Sequence, residues 1–173
     1  MKKAILVILL SCVLFSSFAC ALIEPTEKIF SIDEYNLAIT ADSTFSDANA
    51  DNFDLQITNS KCYISVFGYM YIDLSKGQTP IDVFDIQNED VFSRRNEVTL
   101  IEDTKTEAFS NYTITQALHS AEYEGSKNYY ATYLIDFPEE EVFAWVLITS
   151  TPSYLTKNRE YRNNIVYSLT LIE

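Results

Sequence analysis

His119 is the only histidine of the chain, and Ser120 and Glu122 follow it, the residue types from which a nucleophile, a base and an orienting acid are built. The run Ala117-Leu118-His119-Ser120-Ala121 reads as a strand, in which neighbouring side chains point to opposite faces, so Ser120 cannot readily reach His119. No Gly-x-Ser-x-Gly elbow is present, and a histidine-based metal site would need ligands this chain does not supply. An ordinary strand histidine is expected. Asp47, Asn49 and Asp51 set oxygen ligands at alternate positions, as calcium loops do. Asn52 and Thr58, however, stand where an EF-hand loop needs Gly and Glu. A solvated acidic loop is the simpler reading of 47–52, with calcium capture as its alternative.

Carboxylates are abundant because the whole chain is acidic, with 25 Asp and Glu against 12 Lys and Arg and a net charge of −13. Glu139-Glu140-Glu141 falls in a turn, and Asp82, Asp85 and Glu89 line the wet side of a helix. Spacing singles out no pair in contrasting environments, which glycosidase chemistry requires. Gly68, Gly77 and Gly125 are the only glycines, too few for a phosphate-cradling loop. So acidic a chain repels nucleic acid and anionic headgroups. No catalytic residue, cofactor or metal is assigned. Cys62 sits in the alternating run Lys61-Cys62-Tyr63-Ile64-Ser65-Val66-Phe67 and reads as a small buried hydrophobe. The 12 tyrosines and 11 phenylalanines are of the kind β-sheets select. Their functional reading is a tyrosine-bearing sheet face for binding, with Tyr69, Tyr71, Tyr129, Tyr130 and Tyr133 as candidates.

The elements that would carry these residues follow from periodicity. Runs 28–32 and 35–40, hinged at Asp33-Glu34, form an opening hairpin. After a polar loop over 41–52, runs 53–58 and 61–74 form a second strand pair around Asn59-Ser60, with Gly68 placed where a strand could bulge. Thr79-Pro80 starts a helix over 80–95, the threonine capping free N–H groups and the proline preset for the first turn. Ile81, Phe84, Val91 and Phe92 share one face of that helix, and Asp82, Asp85, Glu89 and Asp90 the other. Strands over 97–102, 111–123, 129–137 and 142–150 make an antiparallel meander, with turns at 124–128 and 138–141. The last is apolar on both sides, Phe143, Trp145 and Leu147 against Ala144, Val146 and Ile148, and so belongs mid-sheet. A second amphipathic helix spans 152–169. The fold class is α+β, helices packed on an antiparallel sheet.

Residues 1–21 read as an export signal, with Lys2 and Lys3 ahead of an uncharged apolar run from Ala4 to Phe18. That leaves a single α+β domain over 22–173, exported to the periplasm or cell envelope, without a transmembrane segment once the signal is removed. Ala19 and Ala21 suit cleavage after Ala21. Alternatively Cys20 becomes the lipid-modified first residue, although Ser17 stands where lipoprotein signals prefer an aliphatic side chain. Leu9-Leu10-Ser11-Cys12 comes too early to serve. Cleavage after Ala21 takes two lysines and no acid, so the net charge moves from −13 to −15, and Cys62 is left without a disulfide partner.

In its opening Phe30-Ser31-Ile32 and Tyr35-Asn36-Leu37-Ala38-Ile39 hairpin, its mid-chain Thr79-Pro80 helix and its terminal Ile165-Val166-Tyr167-Ser168-Leu169, the chain resembles the PsbP-like family, which includes DcrB-like envelope proteins. Tyr35-Asn36 stands near the place where many members carry an early tryptophan. The resemblance implies an α/β/α sandwich and an accessory or binding role. The expected function is that of an exported, noncatalytic protein-binding or accessory protein of the bacterial cell envelope. Its partner is expected to be another envelope or secreted protein, basic in charge, with inhibition of a toxin in the manner of an immunity protein as one form. A carboxylate-dependent hydrolase acting on cell-wall material is the alternative.

The N-terminus offers a direct check. Intact mass and N-terminal sequencing of the purified protein should give Leu22 as the first residue, with release by osmotic shock. A diacylglycerol on Cys20, and a move from membrane to soluble fractions in Cys20→Ala, would contradict that cleavage.

Overall fold

The computed structural model describes residues 26–172, so the export signal and Cys20 lie outside the described residues. The chain runs through β1 (Glu27–Ile32), β2 (Leu37–Asp42), β3 (Ser46–Asp47), β4 (Leu55–Thr58) and β5 (Cys62–Met70) before α1 (Pro80–Ser93). It continues through β6 (Asn96–Ala108), β7 (Thr113–Tyr123), β8 (Ser126–Phe137) and β9 (Val142–Ser150), and ends with α2 (Pro152–Lys157), α3 (Arg159–Tyr167) and β10 (Thr170–Leu171). The main sheet is antiparallel throughout, in the order β3-β4-β5-β9-β8-β7-β6, and a small sheet pairs β1-β2-β10. The expected α+β architecture and the four-strand meander are both present.

β9 organises the layers. Side chains alternate across a strand, and those of Phe143, Trp145 and Leu147 join Val83 and Phe84 of α1 in one buried cluster. Val142, Ala144, Val146 and Ile148 enter a second cluster with the small sheet and with Leu155, Ile165 and Val166 of α2 and α3. The main sheet is therefore covered by α1 on one face, and by the small sheet and the two C-terminal helices on the other.

At the start of α1 the Thr79 N–H and hydroxyl both donate to the Asp82 carboxylate, at 2.7 and 2.6 Å, which fixes the first turn and holds that carboxyl below its usual range. Val83 and Phe84 are the buried residues of this helix, whereas Ile81, expected on the inner face, is 41% exposed. The helix ends at Ser93, short of Arg95. The Arg95 guanidinium folds back over the Tyr130 ring, 4.6 Å from its centroid, a cation–π contact that joins α1 to β8.

Three expectations are corrected. Gly68 marks no bulge, since the β5–β9 register runs unbroken through Gly68 and Ala144. Its hydrogen side chain makes room for Tyr35, whose ring would lie 2.2 Å from an added Cβ. The helix expected over 152–169 breaks at Asn158, whose backbone leaves the helical region and whose N–H and side-chain amide both donate to the Tyr154 carbonyl. Residues Thr170–Leu171 then form a strand on β2, fastened by Ser168, whose hydroxyl donates to Thr40 O and accepts from Thr40 N. Finally β6 extends well past residue 102. Almost wholly exposed, it lacks apolar alternation, and the β7 backbone supplies its pairing through an irregular register.

Phe92 of α1 lies 4.4 Å, centroid to centroid, from the ring of His119 on β7. Burial holds His119 below its ordinary value of 6.5, and Nδ1 is buried without a protein partner. Protonation therefore favours the unfolded chain. This contribution to stability is present above pH 6.5 and lost as pH falls through the folded value.

Two measurements test this packing. Gly68→Ala should destabilise the domain by about 1–3 kcal/mol in denaturant unfolding, and by much less in a Tyr35→Ala background, because the clash is with that ring. The sole imidazole C2–H resonance should titrate with a midpoint below 6.5; a midpoint at or above that value would contradict the desolvated placement of His119.

Candidate functional site

α1 lies over β8 and β9, which leaves the neighbouring β4–β5 side of the same face without a helix. The loop before β4 partly fills that space, and between loop and helix lies a groove of about 630 Å³. Phe67 of β5, half-buried, forms its floor, backed by its cross-strand partner on β9, the fully buried Trp145, with ring centroids 6.0 Å apart. Phe53 forms the loop wall, 4.9 Å from Phe67. Ile86, Asp90, Val91 and Arg94 form the helix wall, placed there by the one-turn spacing of α1. Arg94 and Asp90 pair at 2.6 Å on the exposed rim, and Ile86 is 52% exposed.

Polar bonds hold the floor in place. The Trp145 indole N–H donates to Asn88 Oδ1 at 3.3 Å, and Gln87 Nε2 donates to the Tyr69 hydroxyl at 2.8 Å. The Tyr69 ring stacks on Phe143 at 4.9 Å, and burial pushes its phenol up to about 12. Tyr71 meets Phe143 edge-on at 5.7 Å and donates to Asp136 at 2.7 Å. Such a wall of aromatic faces under a polar rim suits capture of an apolar or cationic side chain.

The five candidate tyrosines do not make one surface, which corrects the expectation of a shared binding face. Tyr69, Tyr71 and Tyr130 belong with the α1 face, Tyr129 and Tyr133 with the opposite one. Tyr130 and Tyr133 are each 1% exposed. Their alternation along β8 sends neighbours to opposite cores. Tyr133 donates to Asn163 Oδ1 at 3.1 Å, joining the sheet to α3. Phe53 and Phe67, which line the groove, were not among the sequence candidates. The signal for them was the match of Phe67 and Tyr69 to Trp145 and Phe143, visible only once β5 is known to pair with β9.

The acidic loop and the other titratable candidates among the described residues mainly serve the fold. Asp47 Oδ1 accepts the Asn49 N–H at 2.7 Å, and Asp54 Oδ2 accepts the Gly68 N–H at 2.8 Å, so these oxygens serve the backbone. Among the described residues, no three His, Cys, Asp or Glu side chains are placed to hold a metal ion. Cys62 is buried, and burial pushes its thiol up to about 11. Burial also raises Asp136, although Tyr71 donates to it. Burial acts to raise Asp42 as well, but hydrogen bonds from Thr44 and Tyr161 outweigh it and hold that carboxyl low. These two contrasting carboxylates lie in different sheets, on β2 and β8. No helix of the described residues is long and apolar enough to cross a membrane.

No family model matches the chain, and no curated protein matches it by sequence. Solved structures do. The PsbP protein CyanoP of Synechocystis sp. PCC 6803 superposes with a TM-score of 0.66 at 8% identity, over 89% of this chain and 98% of that one. The Ran-binding protein Mog1p of Saccharomyces cerevisiae gives 0.59 at 10% identity, over 87% and 97%. LpqN of Mycobacterium tuberculosis, described as involved in cell envelope biogenesis, gives 0.57 at 9% identity, over 88% of each chain. At such identities the likeness is one of architecture, and the chain has the PsbP-like fold.

Proposed function

We propose that this is an exported, noncatalytic binding protein of the cell envelope that holds a basic protein partner in the groove beside α1. The observation that carries this reading is the pair of half-buried rings, Phe67 on the floor and Phe53 on the loop wall, backed by the fully buried Trp145 below an open rim. A lysine or arginine stem entering the groove would lay its methylenes and its charge on aromatic faces. Asp82, Asp85, Glu89 and Asp90 on α1 supply the long-range attraction, and a desolvated anchor of this kind contributes about 2 kcal/mol or more to an interface. The leader-like residues 1–21 support export. The Ran-binding Mog1p, which shares the fold, supports a binding role, and LpqN, described as involved in cell envelope biogenesis, supports the envelope setting. In its sharper form the partner is a basic secreted toxin, and this domain its inhibitor.

Capture from envelope extract with wild type and with Ile86→Arg tests the reading. That substitution lies on the exposed rim and should leave the unfolding transition unchanged. A partner retained at low salt, released as salt screens the acidic helix and lost in the variant is the expected outcome. Equal capture by both proteins, or no partner under any salt condition, would overturn it.

A further inference from the structure

On the sheet face opposite the groove, a cavity of about 260 Å³ lies between β6, the main sheet and the two C-terminal helices. Leu118 and Leu155 form apolar walls, Ile101 sits on the exposed strand at its margin, and two guanidinium groups, Arg159 and Arg162, line it. Arg162 is only 4% exposed. Among the described residues the ion pairs are Arg94–Asp90 and Arg159–Glu102, so Arg162 has no carboxylate partner. Its Nε donates a long hydrogen bond to Asn163 Oδ1 at 3.4 Å, and its guanidinium lies against Tyr133, 6.0 Å from the centre of that neutral ring.

A guanidinium cannot shed its charge, and a buried charge without a counterion is costly. Glu102 balances Arg159 at 2.6 Å, which leaves one positive charge facing an apolar-walled cavity. One uncompensated cation matches a monoanion better than a dianion, particularly in a chain of net charge −13. We infer that this cavity binds a small monocarboxylate with a short apolar tail, its carboxylate on the Arg162 guanidinium and its tail against Leu118 and Leu155. The planar fork of arginine suits a two-oxygen acceptor. This site is independent of the groove and of the partner assigned to it.

Titration of the mature protein with hexanoate, followed by amide NMR, tests the inference, with hexylamine and inorganic phosphate as comparisons. Saturable shifts around Arg162 and Leu155 are expected with hexanoate and not with hexylamine. Affinity should fall at least about tenfold in Arg162→Gln, the loss of a charged hydrogen bond. It should fall likewise in Ile101→Trp, which fills the mouth from the exposed edge strand, and stay unchanged in Ile86→Arg. Should Arg162→Gln fail to fold, Ile101→Trp decides alone. Absence of saturation, equal binding of hexylamine or phosphate, or full affinity in Ile101→Trp would overturn the inference.

Discussion

A strand that is apolar on both sides can present neither side to water, and β9 is such a strand. From Phe143 to Val146 every residue is fully buried, so both faces of the sheet need cover at the same point. Loss of a ring such as Trp145 from a packed core costs about 3–5 kcal/mol, a large share of a domain's stability. The covers differ in width. A helix about 10 Å across spans roughly two strands spaced about 4.8 Å apart. α1, placed over β8 and β9, therefore cannot also cover β4 and β5, and the groove is what one helix leaves uncovered on a seven-stranded sheet.

The order of elements was legible because periodicity is a local signal. The sides of β9, the Thr79-Pro80 helix start and the meander all follow from residues close together in the chain. What could not be read depends on distant partners. Tyr130 and Tyr133 look like neighbours on a binding face until β8 is seen to be covered on both sides. Gly68 suggests a bulge until Tyr35, more than thirty positions earlier, is found lying on it. The break at Asn158 and the return of Thr170–Leu171 to β2 were hidden for another reason. Residues 152–169 carry a helical pattern throughout, and only the hydrogen bonds of Asn158 and Ser168 override it. The groove itself was not in view: Trp145 read only as one side of a covered strand, Phe67 meets it through strand pairing, and Phe53 comes from a loop.

Charge is distributed with a similar division of labour. The chain has four arginines, each at or near a helix end and none simply solvated. Arg94 pairs along α1, and Arg95 lies on a β8 ring. Arg159 reaches across to β6, while Arg162 is enclosed beside Tyr133. The acidic groups, by contrast, mostly occupy exposed positions, where they shape the external field and bear little on packing. Arginine suits the first role because its planar group stacks and forks where an ammonium would only attract.

The small sheet carries a further consequence. β1 and β10 pair with the two edges of β2, both antiparallel to it, so the described chain starts beside Asp42 and finishes beside Leu37, at opposite ends of the same small sheet, on the layer opposite α1 and its groove. Whatever is attached upstream of Glu27, whether a tether, a fusion or a surface, holds the domain from behind. The groove then points outward like the open side of a hand fixed at the wrist. Such a mounting gives the molecule a direction, with the groove beside α1 on the side turned away from the support.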